Sequence, residues 1–172
     1  MNKKGFAKIW TFLIIALSIV MIALISTYLI TGVNKSINTN SRIQMITRLQ
    51  TSIDEMLLEN YGVKNKISLS VPNDIKKLCF IDFETTRIGL NTTNPDEYEK
   101  RMIEIANIVY DEYKDGNITN PENLYLFTTD EFELYKLNKI TVSPIGGGIY
   151  CLNGKSKSEL TLTSQGKKVL IE

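Results

Sequence analysis

IWTFLIIALSIVMIALISTYLI, running from Ile9 to Ile30, is the stretch on which the fold turns, and no charged residue occurs between Ile9 and Asn34. As a helix, these 22 residues at about 1.5 Å each span roughly 33 Å, close to a hydrocarbon core of about 30 Å. The stretch therefore predicts a transmembrane helix over 9–30, with membrane lipid as its partner and Trp10 and Tyr28 near the two headgroup levels. A buried helix of a water-exposed core would need an apolar shell all round it, which the more polar remainder of the chain is poorly equipped to build. Lys3, Lys4 and Lys8 cluster before the stretch, whereas Lys35 and Arg42 are spread thinly after it. The positive-inside bias then places residues 1–8 as a cytoplasmic tip and the chain beyond the helix on the outer side of a cell membrane, as a single-pass protein. A cleaved secretory signal fits less well, because the apolar run is long and Thr31-Gly32-Val33-Asn34 offers no small-x-small cleavage site.

Outward from that stretch, composition narrows the chemistry. The 172 residues are 43% hydrophobic and 23% charged, enough for one modest domain. Histidine is absent, which excludes Ser-His-Asp and Cys-His catalysis and His-ligated zinc. A net charge of +1 provides no broad basic surface for nucleic acid. That sum conceals unlike parts: residues 1–8 carry +3 and the rest carries −2. No cofactor is expected, and a non-enzymatic structural or binding role is favoured over catalysis.

Ile46, Leu49, Ile53 and Met56 or Leu57 recur at helical spacing, predicting an amphipathic helix or stalk within 31–62 that stops at Tyr61-Gly62. The downstream domain is the simplest partner for that stripe, with another subunit as the second choice. An α+β domain is expected over 63–172. Its strands are predicted near Lys66–Val71, Leu78–Phe83, Asn123–Phe127, Phe132–Val142, Ile149–Leu152, Glu159–Thr163 and Lys168–Ile171. A helix is predicted from an Asn94 cap to Gly116. Asn153-Gly154 and Gln165-Gly166 predict hairpin turns, so the C-terminus reads as an antiparallel meander.

Cys79 and Cys151 both fall in predicted strands on the expected outer side and read as a disulfide, with two unpaired buried thiols as the alternative. Asn34, Asn91 and Asn117 each begin an Asn-x-Ser/Thr triplet and are candidate glycosylation positions. Gly154-Lys155-Ser156 lacks the earlier glycine of a phosphate loop, and Gly146-Gly147-Gly148 lacks a following helix, so both read as connections. Between Asp96 and Glu133 the net charge is −8. Asp130, Glu131 and Glu133, or Asp111, Glu112 and Asp115, could serve as oxygen ligands. Neither set has the order of a calcium loop, no metal site is assigned, and a solvated acidic face is the simpler reading. The acids could also furnish a glycosidase pair, were two of them to face across a cleft. Tyr98, Tyr110, Tyr113, Tyr125, Tyr135 and Tyr150 could decorate a recognition surface, and half-buried core positions with the hydroxyl outward explain most of them equally well.

Lys3-Lys4-Gly5-Phe6, followed at once by the apolar helix, resembles the leader of type IV pilins and archaeal pilin-like proteins. The resemblance implies cleavage between Gly5 and Phe6 and retention of the hydrophobic segment. It further implies assembly with copies of itself or with related pilin-like subunits through the N-terminal helix, ahead of a small domain with an antiparallel sheet. Trp10 occupies the fifth mature position, where most pilins carry Glu, and Lys8 is unusual near the start of the mature helix; some minor pilins also lack that Glu, so its absence weakens major-subunit status more than membership. The alternative expectation is a single-pass anchored binding module with no assembly role.

Overall fold

The computed structural model describes residues 3–84, 94–129, 131–142, 147–154 and 157–172. Helix α1 (Lys3–Leu57) is followed by β1 (Lys64–Leu69), β2 (Lys77–Ile81), α2 (Glu97–Lys114) and β3 (Leu124–Phe127). Then come β4 (Phe132–Tyr135), β5 (Ile140–Val142), β6 (Ile149–Asn153), β7 (Ser158–Ser164) and β8 (Val169–Ile171). The chain forms two compact units, Met1–Asn40 and Ser41–Glu172. Two four-stranded sheets lie in the second, in the orders β1-β7-β8-β5 and β4-β3-β2-β6.

The transmembrane expectation is corrected here. Among the described residues no helix is long and apolar enough to cross a membrane. The single-pass anchor, the cytoplasmic tip and the extracytoplasmic placement of the domain, which all rested on that span, are unsupported with it.

The mixed α+β character of the domain is observed, but it has two sheets where one was expected. Leu78-Cys79-Phe80-Ile81 and Leu124-Tyr125-Leu126-Phe127 are unbroken apolar runs because their strands are covered on both faces, leaving no solvent side to alternate with. Leu78, Phe80, Leu124 and Leu126 join one core together with Leu160 and Leu162 of the other sheet. Cys79, Ile81, Tyr125 and Phe127 point the other way and pack with Met102 and Ala106 of α2. The first core also takes Met45, Leu49, Ile53 and Met56 of α1, so the amphipathic stripe docks on the downstream domain as expected. That segment is the C-terminal part of the one continuous helix α1.

Helix α2 begins two residues later than predicted. Pro95 biases Asn94 away from helical geometry, and Asp96 becomes the cap, its side chain accepting from the Glu99 N–H while Glu99 reaches back to the Asp96 N–H. The C-terminal meander is half correct. The β7–β8 hairpin turns at Gly166, where φ is +77°, but β6 pairs with β2 rather than with β7. Asn153-Gly154 lies where the chain changes sheets. A Cβ on Gly154 would lie 1.8 Å from the Ile75 carbonyl oxygen, and its N–H donates to the Lys76 carbonyl at 2.8 Å. Close backbone approach, not turn geometry, requires glycine there. The segment predicted as one strand over 132–142 divides into β4 and β5, which join different sheets, and β5 runs parallel to β8.

Candidate functional site

Three features of the described residues bear on function: the apolar surface of α1, the ion pairs that tie helices to sheets, and one polar cavity. On α1, Leu17, Ile19, Val20, Met21, Ile22 and Leu24 are all more than half exposed. At about 100° per residue, positions 17, 19, 20, 21 and 22 fall at roughly 0°, 200°, 300°, 40° and 140° around the axis, so the apolar exposure encircles the helix. Two of the hydroxyl groups in this stretch bond to carbonyls of the same helix. Ser26 Oγ donates to the Ile22 carbonyl at 2.8 Å, and Thr27 Oγ1 to the Ala23 carbonyl at 3.1 Å. Those bonds let both polar residues lose water without leaving a donor unmade.

Within the second unit, Arg42 of α1 pairs with Asp74 before β2 and with Glu133 of β4. Burial opposes its charge, but the hydrogen bonds and the charges of the two carboxylates outweigh this and raise its pKa further. Tyr135 Oη donates to Glu133 at 2.7 Å. Burial, with Glu133 beside it, pushes the Tyr135 hydroxyl up to about 12. Lys77 is the buried cation of β2, and its Nζ lies 2.6 Å from both Asp96 and Glu99 at the start of α2. Burial would lower the Lys77 pKa, yet the two carboxylates raise it above its ordinary value. Asp96 shifts in complement: burial works against its charge, and the Lys77 bond together with the Glu99 N–H brings its carboxyl below the usual range.

The cavity, of about 460 Å³, is built wholly from the second unit. Its wall includes Ile81–Glu84 at the end of β2, Asn120 and Asn123 before β3, and Lys136–Ile140 between β4 and β5. Asn123 braces the last of these, donating from Nδ2 to the Leu137 carbonyl at 2.9 Å and accepting at Oδ1 from the Leu137 N–H at 2.7 Å. Lys139 has φ +54°, a left-handed conformation uncommon for lysine. It is held between the Val169 N–H, which donates to its carbonyl at 2.8 Å, and the Asn138 N–H, which donates to Gln50 Oε1 at 3.1 Å. Asp82 is nine-tenths buried; its oxygens accept from the Glu84 N–H at 2.9 Å and from the Thr141 hydroxyl.

The residues singled out from sequence have mixed fates. Cys79 and Cys151 are directly opposed in β2 and β6 and form a disulfide, with S–S 2.04 Å and Cα–Cα 4.1 Å. The side chains of Gly5, Phe6 and Asn34 lie outside the described residues, as do Asn91, Asp130, Gly146, Lys155 and Ser156. Asn117 is exposed just beyond α2 and donates to Glu112 at 2.8 Å. Glu133 is occupied by Arg42 and Tyr135, and no group of three or more His, Cys, Asp or Glu is placed to hold a metal ion among the described residues. Tyr125 is fully buried, with its hydroxyl pushed up to about 12 by burial and by Glu122; Tyr98, Tyr110, Tyr113, Tyr135 and Tyr150 are half-buried. Sequence reading missed the cavity. Its charged residues are spread from Asp54 to Lys168, and only folding collects them. No family model, no curated protein and no solved structure matches the chain.

Proposed function

We propose that this protein is a non-enzymatic assembly subunit of pilin-like layout, in which the apolar part of α1 packs against the same segment of further copies. The observation that carries the reading is the ring of exposed apolar side chains around α1 from Leu17 to Leu24. A helix apolar on one stripe finds cover in a single partner, whereas one apolar all round needs several. A multi-chain helical core meets that need, and the internally bonded Ser26 and Thr27 suit the same dry surroundings. The Lys3-Lys4-Gly5-Phe6 resemblance supports the pilin-like part, with removal of the segment before Phe6. The absence of histidine from the chain favours the non-enzymatic part.

Sedimentation velocity of the full chain tests the assembly. Wild type should sediment as a multimer. Leu17→Glu with Ile22→Glu should shift it to monomer while far-ultraviolet circular dichroism and the disulfide are retained. A wild-type chain that is monomeric across micromolar concentrations would remove the assembly role and leave a binding module. A mature amino terminus at Phe6 is expected from cells, and an intact Met1 would dispose of the pilin-like part alone.

A further inference from the structure

We propose that the cavity beside Asp82 binds a zwitterionic small molecule, an α-amino acid with an apolar side chain. The argument begins with charge. The cavity wall holds three carboxylates, Asp54, Asp82 and Glu84, and three ammonium groups, Lys136, Lys139 and Lys168. Glu84 and Lys168 pair with each other. That leaves two carboxylates and two ammonium groups around one space, and among the described residues none of the four has an ion-pair partner.

Asp82 is the telling member. A carboxylate nine-tenths buried normally has a cation beside it, because removing it from water is otherwise costly. Among the described residues its partners are one backbone N–H and one hydroxyl, both neutral. Each carboxylate oxygen retains a lone pair for a further donor. Lys139 sits in an uncommon left-handed conformation that two hydrogen bonds to other elements maintain, and such conformations collect at binding sites. A ligand carrying one ammonium and one carboxylate complements both sets at once, whereas an ion of a single sign leaves the other set unmatched. Ile81, Phe83, Tyr113 and Leu137 supply apolar atoms for a side chain in a wall that also holds the polar Thr119, Asn120, Asn123 and Asn138. The volume falls in the range of about 300–1,000 Å³ typical of small-molecule sites.

Calorimetric titration of the full chain with three probes reads each charge separately. L-phenylalanine carries both charges, L-phenylalaninamide only the ammonium, and 3-phenylpropionate only the carboxylate. L-phenylalanine should bind saturably, and each single-charge probe at least tenfold more weakly. Asp82→Asn should bring L-phenylalanine and 3-phenylpropionate to equal affinity. Lys136→Gln with Lys139→Gln should do the same for L-phenylalanine and the amide. Should Asp82→Asn fail to fold for want of its bonds to Thr141 and Glu84, the lysine variant carries the test, since both lysines are exposed. Equal affinity of wild type for L-phenylalanine and either single-charge probe overturns the proposal, as does the absence of saturable L-phenylalanine binding.

Discussion

Lys77 shows what a single charge does for this fold. It opens an otherwise apolar strand, and its ammonium reaches two carboxylates that already cap α2, so one side chain ties helix to sheet. Breaking a buried pair costs about 3–5 kcal/mol; with Asp96 nearly half exposed the loss is smaller. Lys77→Met should therefore cost about 2 kcal/mol in urea unfolding. Its pH signature follows from the shifts. Asp96 is depressed when folded, so its contribution is complete above its ordinary value of 3.8 and is lost as pH falls through the folded pKa. Lys77 is raised, so its contribution is complete below 10.5 and is lost as pH rises through the folded pKa. The stability difference between wild type and Lys77→Met should shrink below about pH 3.8; a difference constant from pH 7 to pH 2 would show that the pair contributes nothing.

Among the elements, the two glycines of the expected meander separate two physical roles. Gly166 has φ +77° with open space around it, so Gly166→Ala meets only backbone strain, about 1 kcal/mol. Gly154 has the Ile75 carbonyl where a Cβ would sit. Gly154→Ala must displace backbone between the sheets and should cost at least about 3 kcal/mol. Thermal unfolding of the two variants side by side checks the order, and equal losses would mean that the Gly154 contact yields easily. Sequence alone placed a Gly-containing turn at both positions, because the distinction lies in what passes nearby. The amphipathic end of α1 was legible for the opposite reason: the spacing of Leu49, Ile53 and Met56 is intrinsic to the helix and needs only one apolar surface to satisfy it.

Across the whole molecule, the Cys79–Cys151 bond joins β2 to β6 over a separation of 72 residues. Closing a loop of that length removes about 4 kcal/mol of denatured-state entropy. Reduction, or Cys79→Ser with Cys151→Ser, should lower the urea midpoint correspondingly, while a loss under about 1 kcal/mol would indicate a denatured state already compact there. The bond closes the edge of a sheet whose second face carries α2, so the variant should first loosen β6, read as faster amide exchange at Ile149–Asn153.

By itself the sequence determined the helix periodicities, most strands, the absence of imidazole chemistry and the apolar character of residues 9–30, because each depends on neighbours along the chain. Folding decided what depends on neighbours in space. It divided the strands between two sheets and set β5 parallel to β8. It put Cys79 opposite Cys151, and it drew charged residues as distant as Asp54 and Lys168 around one cavity. It also corrected the reading of the apolar helix: among the described residues no helix is long and apolar enough to cross a membrane. Hydrophobicity is a property of a residue, but the partner that covers it is a property of the assembled structure.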